Sequence, residues 1–263
     1  MHSPIVNPEF KAILFAIVIL IGMFGCLEFG RLVGKWRIAK DPEGADKGIG
    51  AADGAVFALF GLLLAFTFSG ATSRFDHRRE LIVQEANAIG TAYLRIDLLP
   101  MATQQGIRSL FRQYVEARIA LHQHFSNPTV SRDDYLRGTK LQDEIWKLAV
   151  AGVNASSNPP VSAQIFPPLN DMIDISNTRI IAAQTHPPEV IFFMLFGLAL
   201  LVSLLAGYAM SLSKTRQWMH LIVFSIAITS TLYVIIDIEY PRFGEIRIDA
   251  FDQILVDVLD RIK

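Results

Sequence analysis

The sequence predicts an all-α membrane protein with four transmembrane helices and a helical insert between the second and the third. Hydrophobic residues make up 52% of the 263 residues and the mean hydropathy is +0.37, which is high for a soluble chain. Four apolar runs are long and almost free of charge. The roughly 110 residues between the second and third runs are polar, with helical periodicity and no strand alternation.

Each of the four runs has the length of about 20 residues that a helix needs to cross a bilayer. They are Phe10 to about Phe29, Gly54–Thr72, Val190 to about Leu212, and Trp218–Ile236. The first run has no basic segment before it and no small-residue cleavage site, so we expect a retained helix rather than a signal peptide.

The second run passes into a charged segment without a Gly or Pro break. It therefore predicts one long helix that leaves the membrane and ends at Pro100. The rest of the insert predicts three amphipathic helices, and the segment after the fourth run predicts a Pro/Gly turn and an amphipathic C-terminal helix. The three insert helices are placed at about Gln104–Phe125, from Ser131 as a capping residue to about Val150, and about Pro168–Gln184.

These elements divide the chain into four parts: residues 1–72 (transmembrane helices 1 and 2), 73–187 (insert), 188–238 (transmembrane hairpin) and 239–263 (turn and C-terminal helix). Two coiled-coil-like seams occur, one from Ile82 to Ile96 and one from Ile248 to Ile262. They pack either between protomers or within the bundle of one chain.

Charge and motifs exclude several functions. The 24 basic and 25 acidic residues are balanced, so nothing favours nucleic acid as a partner. Basic residues near the membrane ends are equally divided between the two sides, so the positive-inside rule gives no orientation. The sequence has no GxSxG, HExxH, CxxC or Walker pattern, and it predicts no enzyme, no cofactor and no metal centre.

Two residue sets are candidate sites. Phe60, Leu64 and Phe68 repeat at i, i+4 and i+8, a bulky ridge that faces either lipid or a pore that it gates by dewetting. The acidic group after the fourth run offers oxygen ligands for a hard cation such as calcium. The favoured alternative is that these acids cap the tail helix or pair with arginines; the four candidates are Asp237, Glu239, Asp249 and Asp252.

Two segments carry a family resemblance. GLLLAFTFSGATSRFDHRRELI resembles the second-span exit of bacterial bestrophins, and IDIEYPRFGEIRIDAFDQIL resembles their acidic Pro-Phe-Gly segment and the following helix. The longer LAFTFSGATSRFDHRRELIVQEANAIGTAYLRIDLLP is similar to a bacterial group labelled bestrophin-like. The resemblance implies a homo-oligomeric ion channel of the bacterial inner membrane, a pentamer, that passes small inorganic ions across the lipid bilayer. It also implies that the insert and both termini are cytoplasmic.

Carried over from that family, the pore neck is Phe60, Leu64 and Phe68. The sequence itself places three basic residues at the pore exit, Arg74, Arg78 and Arg79, among the acidic Asp76, Glu80 and Glu85. This sequence departs from the family at two points. It has Arg78-Arg79 where bestrophins have paired tryptophans, and Tyr240 replaces one acid of the turn, so calcium control is not implied. Aligning Phe75-Asp76 with the family's Tyr-Asp moves the neck to Gly61, Ala65 and Ser69. The alternative function is a non-conducting scaffold or sensor whose insert binds a partner.

Overall fold

The computed structural model describes residues 8–40, 50–124, 127–156, 160–212, 218–242 and 244–262, and within these ranges the only regular structure is helical. Short 3₁₀ turns follow α2 and α6. The eight α-helices are α1 (Pro8–Lys40), α2 (Gly50–Arg95), α3 (Met101–Gln123), α4 (Pro128–Ala155), α5 (Val161–Gln184), α6 (Glu189–Ala209), α7 (Trp218–Glu239) and α8 (Asp249–Arg261).

Four helical segments are long and apolar enough to cross a membrane, which confirms the prediction of an all-α membrane protein. They are Ile13–Lys40, Gly50–Leu98, Val161–Ala209 and Trp218–Glu239. In the second segment the uncharged part is Gly54–Thr72, and in the third it is the apolar helix α6.

Several helix boundaries differ from the predicted ones. The start of α4 at Ser131 was wrong: Asn127 is the N-cap, its side chain accepts a hydrogen bond from the backbone N–H of Val130, and Pro128 begins the helix. The start of α5 at Pro168 was also wrong, because the helix begins at Val161 and contains two prolines. The predicted end of α3 at Phe125 lies outside the described residues.

The chain forms two compact units. Unit one comprises Met1–Ser73 and His186–Ile246, and unit two comprises Arg74–Thr185 and Arg247–Lys263. In unit one α1 packs closely on α6 and also contacts α7. A Cβ atom on Gly207 would overlap the backbone of Leu27, and one on Gly30 would overlap the backbone of Leu204. These glycines therefore allow the close helix approach that stabilises helix pairs in lipid.

The core of unit one contains apolar side chains from all four membrane helices. Its buried members are Ile19, Met23, Phe60, Leu195, Ala199, Val202 and Leu232.

The core of unit two is formed by the second half of α2 together with α3, α4, α5 and α8. Phe111 and Tyr114 are fully buried at its centre. The seam on α2 is buried in this unit, and the C-terminal seam contributes the buried Leu255 and Ile262. Both seams therefore close the bundle of one chain, the second of the two alternatives above.

Candidate functional site

Helix α2 is the least enclosed of the four apolar helices. Only 11% of its apolar window is buried within the protomer, against 22%, 28% and 33% for the other three. An apolar helix of this kind needs contacts from lipid or from further protein copies to cover it.

The Phe60–Leu64–Phe68 ridge is not uniformly open. Phe60 is 5% exposed and packs in the core of unit one with Met23 and Leu195, and Leu64 is half-buried against the same core. Phe68 is 41% exposed. Solvent exposure along the ridge thus rises from the buried Phe60 to the exposed Phe68.

The alternative register lies on the open side of the helix. Gly61, Ala65 and Ser69 are all exposed, and a Cβ atom on Gly61 would have no neighbour within 4 Å. The hydroxyl of Thr67 donates to the Leu63 carbonyl at 2.7 Å, which satisfies its polar atom within the helix. These three exposed positions carry small side chains and offer the hydroxyl of Ser69 as a polar group, and the exposed Leu62 and Phe66 lie beside them on α2.

Arg78 binds backbone carbonyl groups at the C-terminal end of α5. Its Nε donates to the Ala182 carbonyl at 3.1 Å and its Nη2 to the Thr185 carbonyl at 2.8 Å, and the residue is 5% exposed. The last carbonyls of a helix have no partner inside it, and arginine is well suited to bind them. Arg78 therefore acts as a cap for α5, and this geometry leaves its predicted place at a pore exit without support.

Arg79 and Arg74 are half-buried. Arg79 donates from Nη1 to Asp76 Oδ1 at 3.0 Å, and its guanidinium lies 4.2 Å from the ring centroid of Phe251 on α8. This distance allows a cation–π interaction. The exit role of Arg74 and Arg79 remains a prediction.

A chain of ion pairs runs through the core of unit two from Glu85 of α2. Its Oε1 accepts from Arg118 Nε and its Oε2 from Arg179 Nη1, each at 2.5 Å. Arg179 Nη2 in turn binds Asp252 Oδ1 at 2.5 Å. Burial alone would raise the pKa of Glu85, but the charges of Arg118 and Arg179 outweigh it and hold the pKa below its ordinary value of 4.5.

A second buried polar cluster lies in the same unit. Gln142 Nε2 donates to the hydroxyl of Tyr114 at 3.0 Å and to Ser176 Oγ at 2.9 Å, and Ser176 donates to the Ile173 carbonyl. Burial raises the pKa of Tyr114, so this phenol is neutral at physiological pH. The cluster satisfies its polar atoms within the bundle.

The acidic candidates have structural partners. Asp237 accepts hydrogen bonds from the backbone N–H groups of Glu245 (3.0 Å) and Ile246 (2.7 Å), and a Cβ atom on Gly244 would overlap its carboxylate. Asp237 thus organises the Pro/Gly turn, which requires glycine at position 244.

The other three acids are engaged at separate places. Glu239 is fully buried and binds His186 Nδ1 at 3.0 Å, Asp249 binds Arg247 at 2.7 Å, and Asp252 belongs to the ion-pair chain. In the described part of the chain, no three His, Cys, Asp or Glu side chains converge as a metal site would require. Asp249 and Asp252 thus pair with arginines, whereas Asp237 and Glu239 bind backbone N–H groups and a histidine in place of the expected arginines.

The sequence interpretation missed several of these residues. Gly30 and Gly34 form a small-xxx-small pair on α1. This spacing is typical of helix contacts in membranes, so the sequence alone could have indicated the close packing of α1. Arg118 and Arg179 gave no such signal, because their partner Glu85 is 33 and 94 residues away in sequence.

The fold and site together define a four-span α-helical membrane protein whose second apolar helix continues into a polar helical bundle. A family model for the Bestrophin-like domain matches residues 48–250. The chain belongs to the Bestrophin-like family. Neither the curated proteins nor the solved structures contain a significant match to it.

Proposed function

We propose that the protein is an oligomeric ion channel of the bacterial inner membrane, with α2 lining the pore. The observation that carries this proposal is the open, uncharged face of α2. This helix is the least enclosed of the four apolar helices. No atom lies within 4 Å of a Cβ position at Gly61, whereas at Gly30 and Gly207 the backbone of the neighbouring helix occupies that position. Further copies of the same chain would cover α2 and enclose a path along its open face.

The second register is the one we propose for the pore wall. Phe60 cannot face a central axis while it is buried in the apolar core of its own protomer. Gly61, Ala65 and Ser69 are free to do so. A throat of these residues is wider than a neck of Phe and Leu side chains and offers a hydroxyl to a passing ion.

Family membership supports the remaining parts of the proposal. The resemblance to bestrophins implies a pentamer, passage of small inorganic ions, and cytoplasmic placement of the insert and both termini. Membrane location follows from the four apolar helices. The helix exit carries Asp76 and Glu80 beside its arginines, so the proposal covers small inorganic ions of either charge.

The first test is oligomer number together with conductance. The purified protein in detergent should run as a single species of about five protomers and should pass current in planar bilayers. A monodisperse monomer or dimer, or an oligomer without current, would contradict the proposal and favour the non-conducting scaffold.

The second test locates the pore wall. Cys26 is the chain's single cysteine, so Cys26→Ala provides a cysteine-free background with one substitution. In that background Ala65→Cys and Ser69→Cys channels should lose most of their current on exposure to a charged thiol reagent. Phe60→Cys channels should keep theirs, because position 60 is buried in the protomer.

Phe193→Cys is the matched control for accessibility. Phe193 is 71% exposed on α6, and a thiol facing lipid does not ionise and reacts slowly with charged reagents. Loss of current in the Phe60→Cys channels without loss in the Ala65→Cys or Ser69→Cys channels would favour the first register, in which Phe60, Leu64 and Phe68 form the neck. Block at position 193 would remove α2 as the pore helix.

A further inference from the structure

The C-terminal part of α1 extends beyond the length that a bilayer requires. The helix has 33 residues and is therefore about 50 Å long, whereas the hydrocarbon core of a bilayer is about 30 Å thick. The apolar run of the sequence ends near Phe29. Residues 30–40, which we call the distal segment of α1, therefore extend through the level of the lipid headgroups. The match to the Bestrophin-like domain begins at residue 48, so the distal segment lies outside the matched region.

One side of the distal segment packs closely against unit one. Gly34 is buried, and a Cβ atom there would overlap the side chain of Ser211 in the 3₁₀ turn after α6. At Gly30 the backbone of Leu204 occupies the Cβ position. These contacts fix the orientation of the segment, because they leave no room for a larger side chain on this side.

The opposite side of α1 exposes large apolar side chains at the same level. Phe29, Leu32 and Trp36 are each more than half exposed, and their spacing of i, i+3 and i+7 places them on one face of the helix. Tryptophan is enriched where a membrane meets water, because its ring is apolar and its N–H group is polar. This face is therefore suited to the boundary between acyl chains and headgroups.

Basic side chains accompany the apolar face. Lys35, Arg37 and Lys40 are exposed, and Nζ of Lys40 lies 3.9 Å from the ring centroid of Trp36. Among the residues that the structure describes, no acidic side chain forms an ion pair with these three cations. The distal segment thus presents three positive charges that its own protomer leaves without a counter-ion.

The combination of charge and apolar surface favours a lipid over a second copy of the chain as the partner of this face. The centres of protein interfaces are poor in lysine, and burying three cations without acids would be strongly unfavourable. An anionic phospholipid supplies both complements at once. Its phosphate oxygens accept hydrogen bonds from lysine and arginine, and its acyl chains cover the apolar side chains.

We propose that the distal segment of α1 is a binding surface for anionic phospholipid. Its three exposed basic side chains bind the phosphate group, and the apolar face that contains Trp36 lies along the upper acyl chains. The proposal does not depend on ion conduction. It requires only that α1 crosses the membrane, so a failure of the channel function would leave it standing.

The indole of Trp36 can report which lipid lies beside it. The substitutions Trp146→Phe and Trp218→Phe leave Trp36 as the single tryptophan of the full-length chain. This reference protein is placed in phosphatidylcholine nanodiscs that contain a small, equal fraction of brominated phosphatidylglycerol or of brominated phosphatidylcholine. Bromine quenches only indoles that it approaches closely. Quenching by the anionic lipid should be at least about twofold stronger, and the difference should shrink as the salt concentration rises.

Two variants of the reference protein test whether the basic side chains cause this preference. The neutralised variant replaces the three exposed basic residues of the distal segment with glutamine: Lys35→Gln, Arg37→Gln and Lys40→Gln. The control variant removes the same charge from three exposed positions of α4: Arg137→Gln, Lys140→Gln and Lys147→Gln. The neutralised variant should be quenched equally by the two lipids, and the control variant should keep the preference for the anionic lipid.

Equal quenching by the two lipids in the reference protein, or a preference that survives in the neutralised variant, would overturn the proposal. Absence of quenching by either lipid would also overturn it, because the face would then be covered by another protomer. Loss of the preference on adding inorganic phosphate at constant ionic strength would assign the cations to free phosphate instead. If the neutralised variant does not fold, Arg37→Gln alone should lower the preference by a smaller factor, and an unchanged preference there would contradict the proposal.

Discussion

The two halves of α2 belong to one helix but are covered in opposite ways. In the half that extends beyond Ser73, Ile82, Glu85 and Ile89 are fully buried by helices of the same chain. In the apolar half, Gly61, Ala65 and Ser69 are exposed. The polar half of α2 is therefore covered within one protomer, whereas the apolar half keeps one side exposed to lipid or to other protomers.

The difference also appears in how each half treats polar and small groups. The insert half buries a carboxylate and surrounds it with two arginines, an arrangement that makes the position intolerant of change. The apolar half carries glycines with no neighbour within 4 Å at positions 54 and 61. Substitutions should thus affect folding in the first half and assembly or conduction in the second.

The largest expected effect is that of Glu85→Gln. The amide has no charge, so Arg118 and Arg179 lose their counter-ion in a buried place, and breaking such a pair costs about 3–5 kcal/mol. We expect a corresponding fall in the free energy of unfolding of the insert, measured by amide exchange in α3 and α5.

Glu80→Gln is the control for this substitution. Glu80 is exposed and accepts a hydrogen bond from Gln84, so the same change should leave the exchange rates unaltered. Equal effects at both positions would mean that the buried ion-pair chain does not stabilise the insert.

Acid should weaken the same region. The folded pKa of Glu85 lies below its ordinary value of 4.5, so the unfolded chain takes up the proton first as the pH falls. The stability that Glu85 contributes is complete above that value and is lost progressively below it. Protection of α3 and α5 against exchange should therefore decline as the pH falls below about 4.5, and the decline should be shallower in Glu85→Gln.

A smaller effect is expected from Gly207→Val. The new side chain would meet the backbone of Leu27 where α1 and α6 cross, and overpacking of this kind costs about 1–3 kcal/mol or more. Thermal unfolding in detergent should shift to lower temperature. Gly197→Val on the same helix is the control, because no atom lies within 4 Å of its Cβ position and the unfolding temperature should not fall.

Local signals in the sequence account for most of the fold. The absence of a Gly or Pro break after Thr72 predicted the continuous α2, and hydropathy predicted the four spans. Proline misled the prediction of α5, since Pro167 and Pro168 lie inside that helix rather than at its start. A Pro-Pro pair inside a helix depends on tertiary contacts for its support, so the local sequence does not distinguish it from a Pro-Pro pair at a helix start.

The site was harder to predict because its contacts join distant parts of the chain. Arg78 was placed among exit charges, but its partners are carbonyls 104 and 107 residues away. Periodicity predicted both seams without indicating whether they pack within or between chains. It also left the register of α2 undecided by one residue, since neighbouring positions on a helix differ by only 100°.

The mildest change that still separates the two halves is Tyr114→Phe. It removes the hydroxyl that accepts from Gln142, while Ser176 remains as a partner, so we expect a loss of about 1 kcal/mol in insert stability. Tyr135→Phe is the control, because Tyr135 is 38% exposed on α4, and it should have a smaller effect on the same exchange rates. Conductance should be unchanged in both variants, because neither hydroxyl lies on α2. A change in current from Tyr114→Phe alone would mean that the buried core of the insert and the open face of α2 are energetically coupled.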